Sequence, residues 1–126
     1  MAAHDFQERK VDGVTILAVK SGLKGVLETL LKDRIDELVQ GGNISIVVDL
    51  SHIPYIDSHD IGRIIRAHLS VRQAGGRVRL CNLSEKVWSV LRMTRLDTVL
   101  ELYATEKEAL EGLARSDPFD GASGMA

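Results

Sequence analysis

Residues 44–50 read Ile44-Ser45-Ile46-Val47-Val48-Asp49-Leu50, a short apolar run almost without the polar alternation of a half-exposed strand. Such a run fits a central strand covered on both faces, so the fold needs layers above and below a sheet. Helical patterns stand on either side of it. Residues 26–40 place Leu27, Leu30, Leu31, Ile35 and Leu38 three and four apart, with Glu28, Lys32, Asp33, Asp36 and Glu37 largely elsewhere on the wheel. Residues 61–74 place Ile61, Ile64, Ile65 and Leu69 on a second stripe. Both helices run into glycine pairs, Gly41-Gly42 and Gly75-Gly76, as helix C-termini favour.

The remaining segments extend the pattern. Residues 6–11 and 14–19 are strands joined by Asp12-Gly13, a hairpin signal because both turn residues must reach positive φ. Ser21-Gly22-Leu23-Lys24-Gly25 is a loop. Residues 77–83 form a strand, and Ser84 caps a helix packed through Val87, Val90 and Leu91. Residues 99–103 form a last strand and residues 105–115 a last helix, opened by the capping-box pattern Thr105-Glu106-Lys107-Glu108. The order β-β-α-β-α-β-α-β-α predicts an α/β fold, a mostly parallel sheet with an antiparallel N-terminal edge, flanked by helices. One domain is expected over residues 5–113, with a disordered tail over residues 114–126, rich in Gly, Ser, Asp and Ala. Ligands of such sheets gather beyond the carboxyl ends of the strands, which puts the loop of residues 50–58 on the functional rim.

Composition removes several function classes. The 16 Lys and Arg against 18 Asp and Glu give a net charge of −2, which does not support a nucleic-acid surface. Arg63, Arg66, Arg72, Arg77 and Arg79 read as solvated faces of a helix and a strand. Cys81 stands alone, which excludes an internal disulfide and a cysteine zinc site, and its apolar neighbours assign it a small buried role. No apolar run approaches the ~18 residues of a membrane span, and the start has no secretory pattern, so a cytoplasmic protein without membrane insertion is expected. His4, His52, His59 and His68 are too scattered for a metal site, and neither glycine pair forms a phosphate loop. No cofactor is expected.

The chemistry concentrates at Tyr55-Ile56-Asp57-Ser58-His59-Asp60, where the rim loop turns into a helix. Ser58-His59-Asp60 holds the residue types of a hydrolytic triad, but consecutive helical residues diverge by ~100° and cannot form its hydrogen-bond chain. No catalytic residue is assigned. Asp57 reads as an N-cap with Asp60 at the third helical position. A helix start also offers unpaired N–H groups and a positive dipole end to an anion. A phosphate on Ser58 would add about −1.5 to −2 charges there and change the sign of the local surface.

These residues resemble the STAS domain family, which includes bacterial anti-sigma factor antagonists and cytoplasmic modules of sulfate transporters. The resemblance is carried by Val48-Asp49-Leu50-Ser51-His52-Ile53-Pro54-Tyr55-Ile56-Asp57-Ser58. Arg72-Gln73-Ala74-Gly75-Gly76-Arg77-Val78-Arg79-Leu80, then Asn82-Leu83-Ser84-Glu85-Lys86-Val87 and Leu91-Arg92-Met93-Thr94-Arg95-Leu96, extend it. It implies a four- or five-stranded sheet and no catalysis. It implies a partner, an anti-sigma factor that is also a serine kinase of the histidine-kinase-like ATPase type, with Ser58 as phosphoacceptor and a phosphatase that restores the unmodified form. Asp57, His59 and Asp60 flank the acceptor, and the partner surface is expected to include Tyr55, Ile56, Asp57, Ser58, Ile61, Gly62, Arg63 and Arg66.

The chain leaves the family pattern where Asp-Ser is usually followed by Ser or Thr and then Gly. His59 and Asp60 stand there, and Ile61-Gly62 returns to it. Asp60 adds bulk and a negative charge beside the acceptor. The family's Gly-hydrophobic-Asp after the second strand is replaced by Ser21-Gly22-Leu23-Lys24. The alternative reading is a scaffold or adaptor STAS domain bound independently of phosphorylation, in which Asp60 partly imitates the phosphorylated state. A small-molecule or nucleotide-binding STAS domain is a third class.

Overall fold

A computed structural model describes residues 6–19 and 31–112. β1 (Phe6–Val11) and β2 (Val14–Val19) form the expected hairpin, paired antiparallel from Phe6 against Val19 to Val11 against Val14. Asp12 and Gly13 make its turn with φ of 50° and 83°, the two positive values such a tight turn requires. The expected loop at residues 21–25 and the first part of the next helix lie outside the described residues. That helix is described as α1 (Leu31–Gln40).

β3 (Ser45–Asp49), α2 (Ser58–Gln73), β4 (Arg77–Cys81), α3 (Glu85–Met93), β5 (Glu101–Tyr103) and α4 (Glu106–Glu111) follow. The sheet has five strands in the order β1-β2-β3-β4-β5, parallel from β2 onward. β3 is therefore its middle strand. Consecutive order constrains the layers. Right-handed crossovers that always step in the same direction put every crossover helix on the same face. Ile35 and Leu38 of α1, Ile64 and Val71 of α2, and Val87, Trp88 and Leu91 of α3 accordingly share one buried cluster with Ile46 and Val48. α4 follows the last strand, is no crossover, and covers the other face. Its Ala109 packs with Val47, Ile16, Cys81 and Tyr103. The alternation of Ile46, Val47 and Val48 between clusters shows β3 covered on both sides.

The β1 edge carries charge that ties it to both layers. Glu8 accepts from Arg34 of α1, at 2.7 Å from Nη2, and Arg9 pairs with Glu106 of α4. Arg34 holds the Glu8 carboxyl below the usual range. Charged residues on an outer strand also oppose pairing with another sheet.

Three details depart from the sequence reading. On α2 the buried residues are Ile64, His68 and Val71, with Ile61 and Ala67 packed partly against the core, while Leu69 is 51% exposed. His68 takes a core position that hydrophobic periodicity gives to its neighbour. β5 begins at Glu101, because a 3-10 turn at Leu96–Thr98 comes first and leaves Val99 exposed. α4 ends at Glu111, with Gly112 at φ 74° terminating it before residue 115.

Candidate functional site

The segment from β3 to α2 leaves the carboxyl end of the middle strand. Its first turn is held at both ends of Leu50, whose N–H donates to the Cys81 carbonyl at 3.0 Å and whose carbonyl accepts from Ile53 at 3.0 Å. The Asp49 carboxylate accepts the Ser51 N–H at 2.9 Å, a local turn bond typical of Asp. Ile53 and Ile56 sink into the core at 6% exposure each, whereas Tyr55 between them is 66% exposed. Two apolar anchors thus present a tyrosine to solvent just before the helix.

Asp57 caps α2 in extended conformation, with φ −109° and ψ −176°. Its carboxylate accepts the Asp60 N–H at 2.9 Å, and the Asp60 carboxylate accepts the Asp57 N–H at 3.0 Å. This is a reciprocal capping box built from two aspartates, in which Asp60 takes the place more often held by Glu or Gln. The donated Asp60 N–H holds the Asp57 carboxyl below the usual carboxylate range. Burial, with the nearby Asp57 charge adding to it, pushes the Asp60 carboxyl above that range, against the pull of the Asp57 N–H. Ser58 and His59 are exposed on the first turn.

The helix start is therefore less open to an anion than its sequence implies. Two of its backbone donors, those of Asp57 and Asp60, already bind carboxylates, and both carboxylates stand beside Ser58. Asp60 is more than a neighbouring charge, since it closes the cap.

The expected partner residues separate by face. Ser58, Gly62 and Arg66 lie four apart on the outward side of α2, and exposed Leu69 continues the same row. A Cβ built on Gly62 would meet nothing within 4 Å. Ile56, expected on the partner surface, is instead buried in the core of the free chain. Ile61 is also turned partly inward. Arg63 is half-buried and lines the inner end of a cleft between α1 and α2. The cleft's outer part, about 220 Å3, is bounded by Lys32, Ile35, Asp36, Arg66, Ala67 and Ser70.

Sequence reasoning put Leu69 on the buried stripe, although its spacing of three from Arg66 and seven from Gly62 fits the outward row as well. It also missed that Ser84, the N-cap of α3, reaches the Pro54 carbonyl at 3.0 Å. No local pattern announces that contact. Cys81 is buried and its thiol is pushed up to about 12, chiefly by burial, so it stays protonated and inert. Among the described residues no cluster of His, Cys, Asp and Glu could hold a metal ion, and no helix is long and apolar enough to cross a membrane.

Consecutive parallel strands, three helices on one face and a side-chain-capped helix start on the carboxyl rim define a particular class of α/β domain. The chain belongs to the STAS domain family, which it matches over residues 5–109. It is 34% identical over 111 residues to a Thermotoga maritima protein assigned as an anti-sigma factor antagonist, covering 87% of this chain and 98% of that one. It is 26% identical over 102 residues to an anti-sigma F factor antagonist of Paenibacillus polymyxa, covering 80% and 87%. A crystal structure of a Thermotoga maritima protein assigned as an anti-sigma factor antagonist matches the fold with a TM-score of 0.79 at 34% identity, over 90% of this chain and 98% of that chain. The motif resemblance holds, and of the four or five strands that it implies the sheet has five.

Proposed function

We propose that the chain is an anti-sigma factor antagonist that binds an anti-sigma factor, itself a serine kinase of the histidine-kinase-like ATPase type, and that phosphorylation of Ser58 ends the complex. The observation that carries this reading is the outward row of α2. Ser58 stands exposed at its head, and Gly62 four residues on keeps open a space that no part of the described chain uses. Glycine within a helix costs about 1 kcal/mol relative to Ala. A cost without an internal return is explained by a partner backbone that approaches closely there. Tyr55 and Leu69 supply exposed apolar area on either side, and Arg66 supplies charge.

A phosphate on Ser58 would bring about −1.5 to −2 charges next to the Asp57 and Asp60 carboxylates. With two backbone donors already taken, that charge projects outward, where it repels an acidic or apolar partner face. The helix and its core anchors stay in place, so the switch acts on the interface and a phosphatase reverses it.

The test is intact mass and binding, after incubation with ATP and anti-sigma factor kinases of that ATPase type, for wild type and Ser58→Ala. Phosphate on the wild type alone, with loss of its complex, is expected. A second reading, the constitutive scaffold, is favoured by the doubly acidic cap, which places negative charge beside Ser58 without modification. Stable complexes with no mass gain from any kinase would select it.

A further inference from the structure

We infer that Ser84 is a positioning residue for the Ser58 loop, acting as a latch between the β3–α2 and β4–α3 connections. The role in partner binding rests on the reading of Ser58 given above, whereas the latch itself does not.

The Ser84 hydroxyl makes two bonds with opposite roles. Its oxygen accepts the Val87 N–H at 3.1 Å, which caps α3, and its proton is donated to the Pro54 carbonyl at 3.0 Å. A hydroxyl supplies both a donor and acceptor lone pairs, so one group does both. The cap needs only the acceptor, and Asp would serve it as well. The donation to Pro54 needs the proton.

Pro54 is where a tie has most effect. It has no N–H, so its carbonyl is the backbone group through which this residue can be held. It lies between the two buried anchors, Ile53 and Ile56, and directly before exposed Tyr55. Asp57 and Ser58 follow three and four residues after Pro54. The bond therefore fixes the approach of the chain to the capping box, and it does so from the next crossover. The rim loop of the middle strand and the start of α3 become one unit.

Three variants of the full chain separate latch from cap. Ser84→Asp keeps the acceptor for Val87 and loses the donor, Ser84→Ala loses both, and Ser84→Thr keeps both. Hydrogen exchange is measured on each free protein. Affinity and Ser58 phosphorylation are measured with the anti-sigma factor kinase that modifies the wild type. In Ser84→Asp the thermal midpoint should hold, while the Ile53 and Asp57 amides, which donate to the Leu50 carbonyl and the Asp60 carboxylate, exchange about tenfold faster, the factor that one lost hydrogen bond supplies. The apparent KM for phosphorylation should rise with kcat unchanged, because acceptor positioning and not chemistry is altered. Ser84→Thr should behave as wild type. Unchanged exchange at Ile53 and Asp57 in Ser84→Asp would overturn the latch. Faster exchange with unchanged KM and affinity would overturn the positioning role. A wild type that neither binds nor accepts phosphate from any such kinase would instead overturn the reading of Ser58, and the exchange rates would still decide the latch.

Discussion

The two ends of α2 are closed by opposite means. At the C-terminal end, Gly75 donates to the Arg72 carbonyl and Gly76 to the Val71 carbonyl, both at 2.9 Å, with Gly75 at φ 91°. That is a Schellman arrangement made from backbone alone. α1 ends the same way, with Asn43 donating to Leu38 at 2.8 Å and Gly42 to Val39 at 3.0 Å. At the N-terminal end two orphan donors of α2 are met by carboxylates, that of exposed Asp57 and that of half-buried Asp60. Where the chain must enter the sheet, closure uses groups that no proton or phosphate can alter. Where it meets solvent on the rim, closure uses titratable side chains that both can compete with. Closure by titratable groups is confined to one end, while backbone closure at the other keeps the helix in register.

The largest effect is expected at the fixed end. A methyl group on Gly76 would fall 2.1 Å from the Ile44 carbonyl oxygen, which is backbone and cannot swing away. That same carbonyl accepts the Arg77 N–H at 2.9 Å and starts the pairing of β3 with β4. Gly76→Ala should destabilise the domain by about 3 kcal/mol or more, the upper range of overpacking, as read from denaturant midpoints. A loss below about 1 kcal/mol would show that this end yields as readily as a surface turn.

Next in size is the outward row between the ends. Gly62→Ala should stabilise the free protein by about 0.5–1 kcal/mol, since Ala is the better helix former and its methyl meets nothing. The same change should weaken the anti-sigma factor complex by about tenfold, the 1.4 kcal/mol of one overpacked contact. Opposite signs for stability and affinity are the signature of a position kept small for a partner. Equal affinity would remove Gly62 from the interface.

Local chemistry was legible in the sequence, and long-range packing was not. Asp12-Gly13, Gly75-Gly76, the Asp57 and Ser84 caps and the resemblance at residues 48–58 depend on neighbours in the chain, and each was readable there. The exchange of His68 for Leu69 in the core was not, because it depends on how α2 is rotated against β3 and β4. The burial of Ile56 depends on how the rim loop folds back on the sheet. The Ser84 bond to Pro54 joins residues 30 apart that only the parallel pairing of β3 and β4 brings together. The gathering of α1, α2 and α3 on one face follows from strand order, which element order alone leaves open.

The smallest effect is expected at the switchable end, in its response to pH. Asp57 titrates below its unfolded value of about 3.9. Its contribution to stability is present above that value and is lost as pH falls through the lower folded one. Asp60 has the opposite sign. Its carboxyl is raised, so its contribution is full below the unfolded value and is lost as pH rises through the folded one. Asp60→Asn keeps an oxygen for the Asp57 N–H and removes the second titration. The stability of Asp60→Asn relative to wild type should therefore increase as pH rises through the Asp60 transition and then level off, as measured by paired thermal midpoints. Phosphorylation of Ser58 should also become faster, since a charge beside the acceptor is gone. A difference in midpoint that stays flat with pH would mean that the box holds through geometry alone. The rim end of α2 would then be as indifferent to protons as the sheet end, and the contrast between them would rest on Ser58 only.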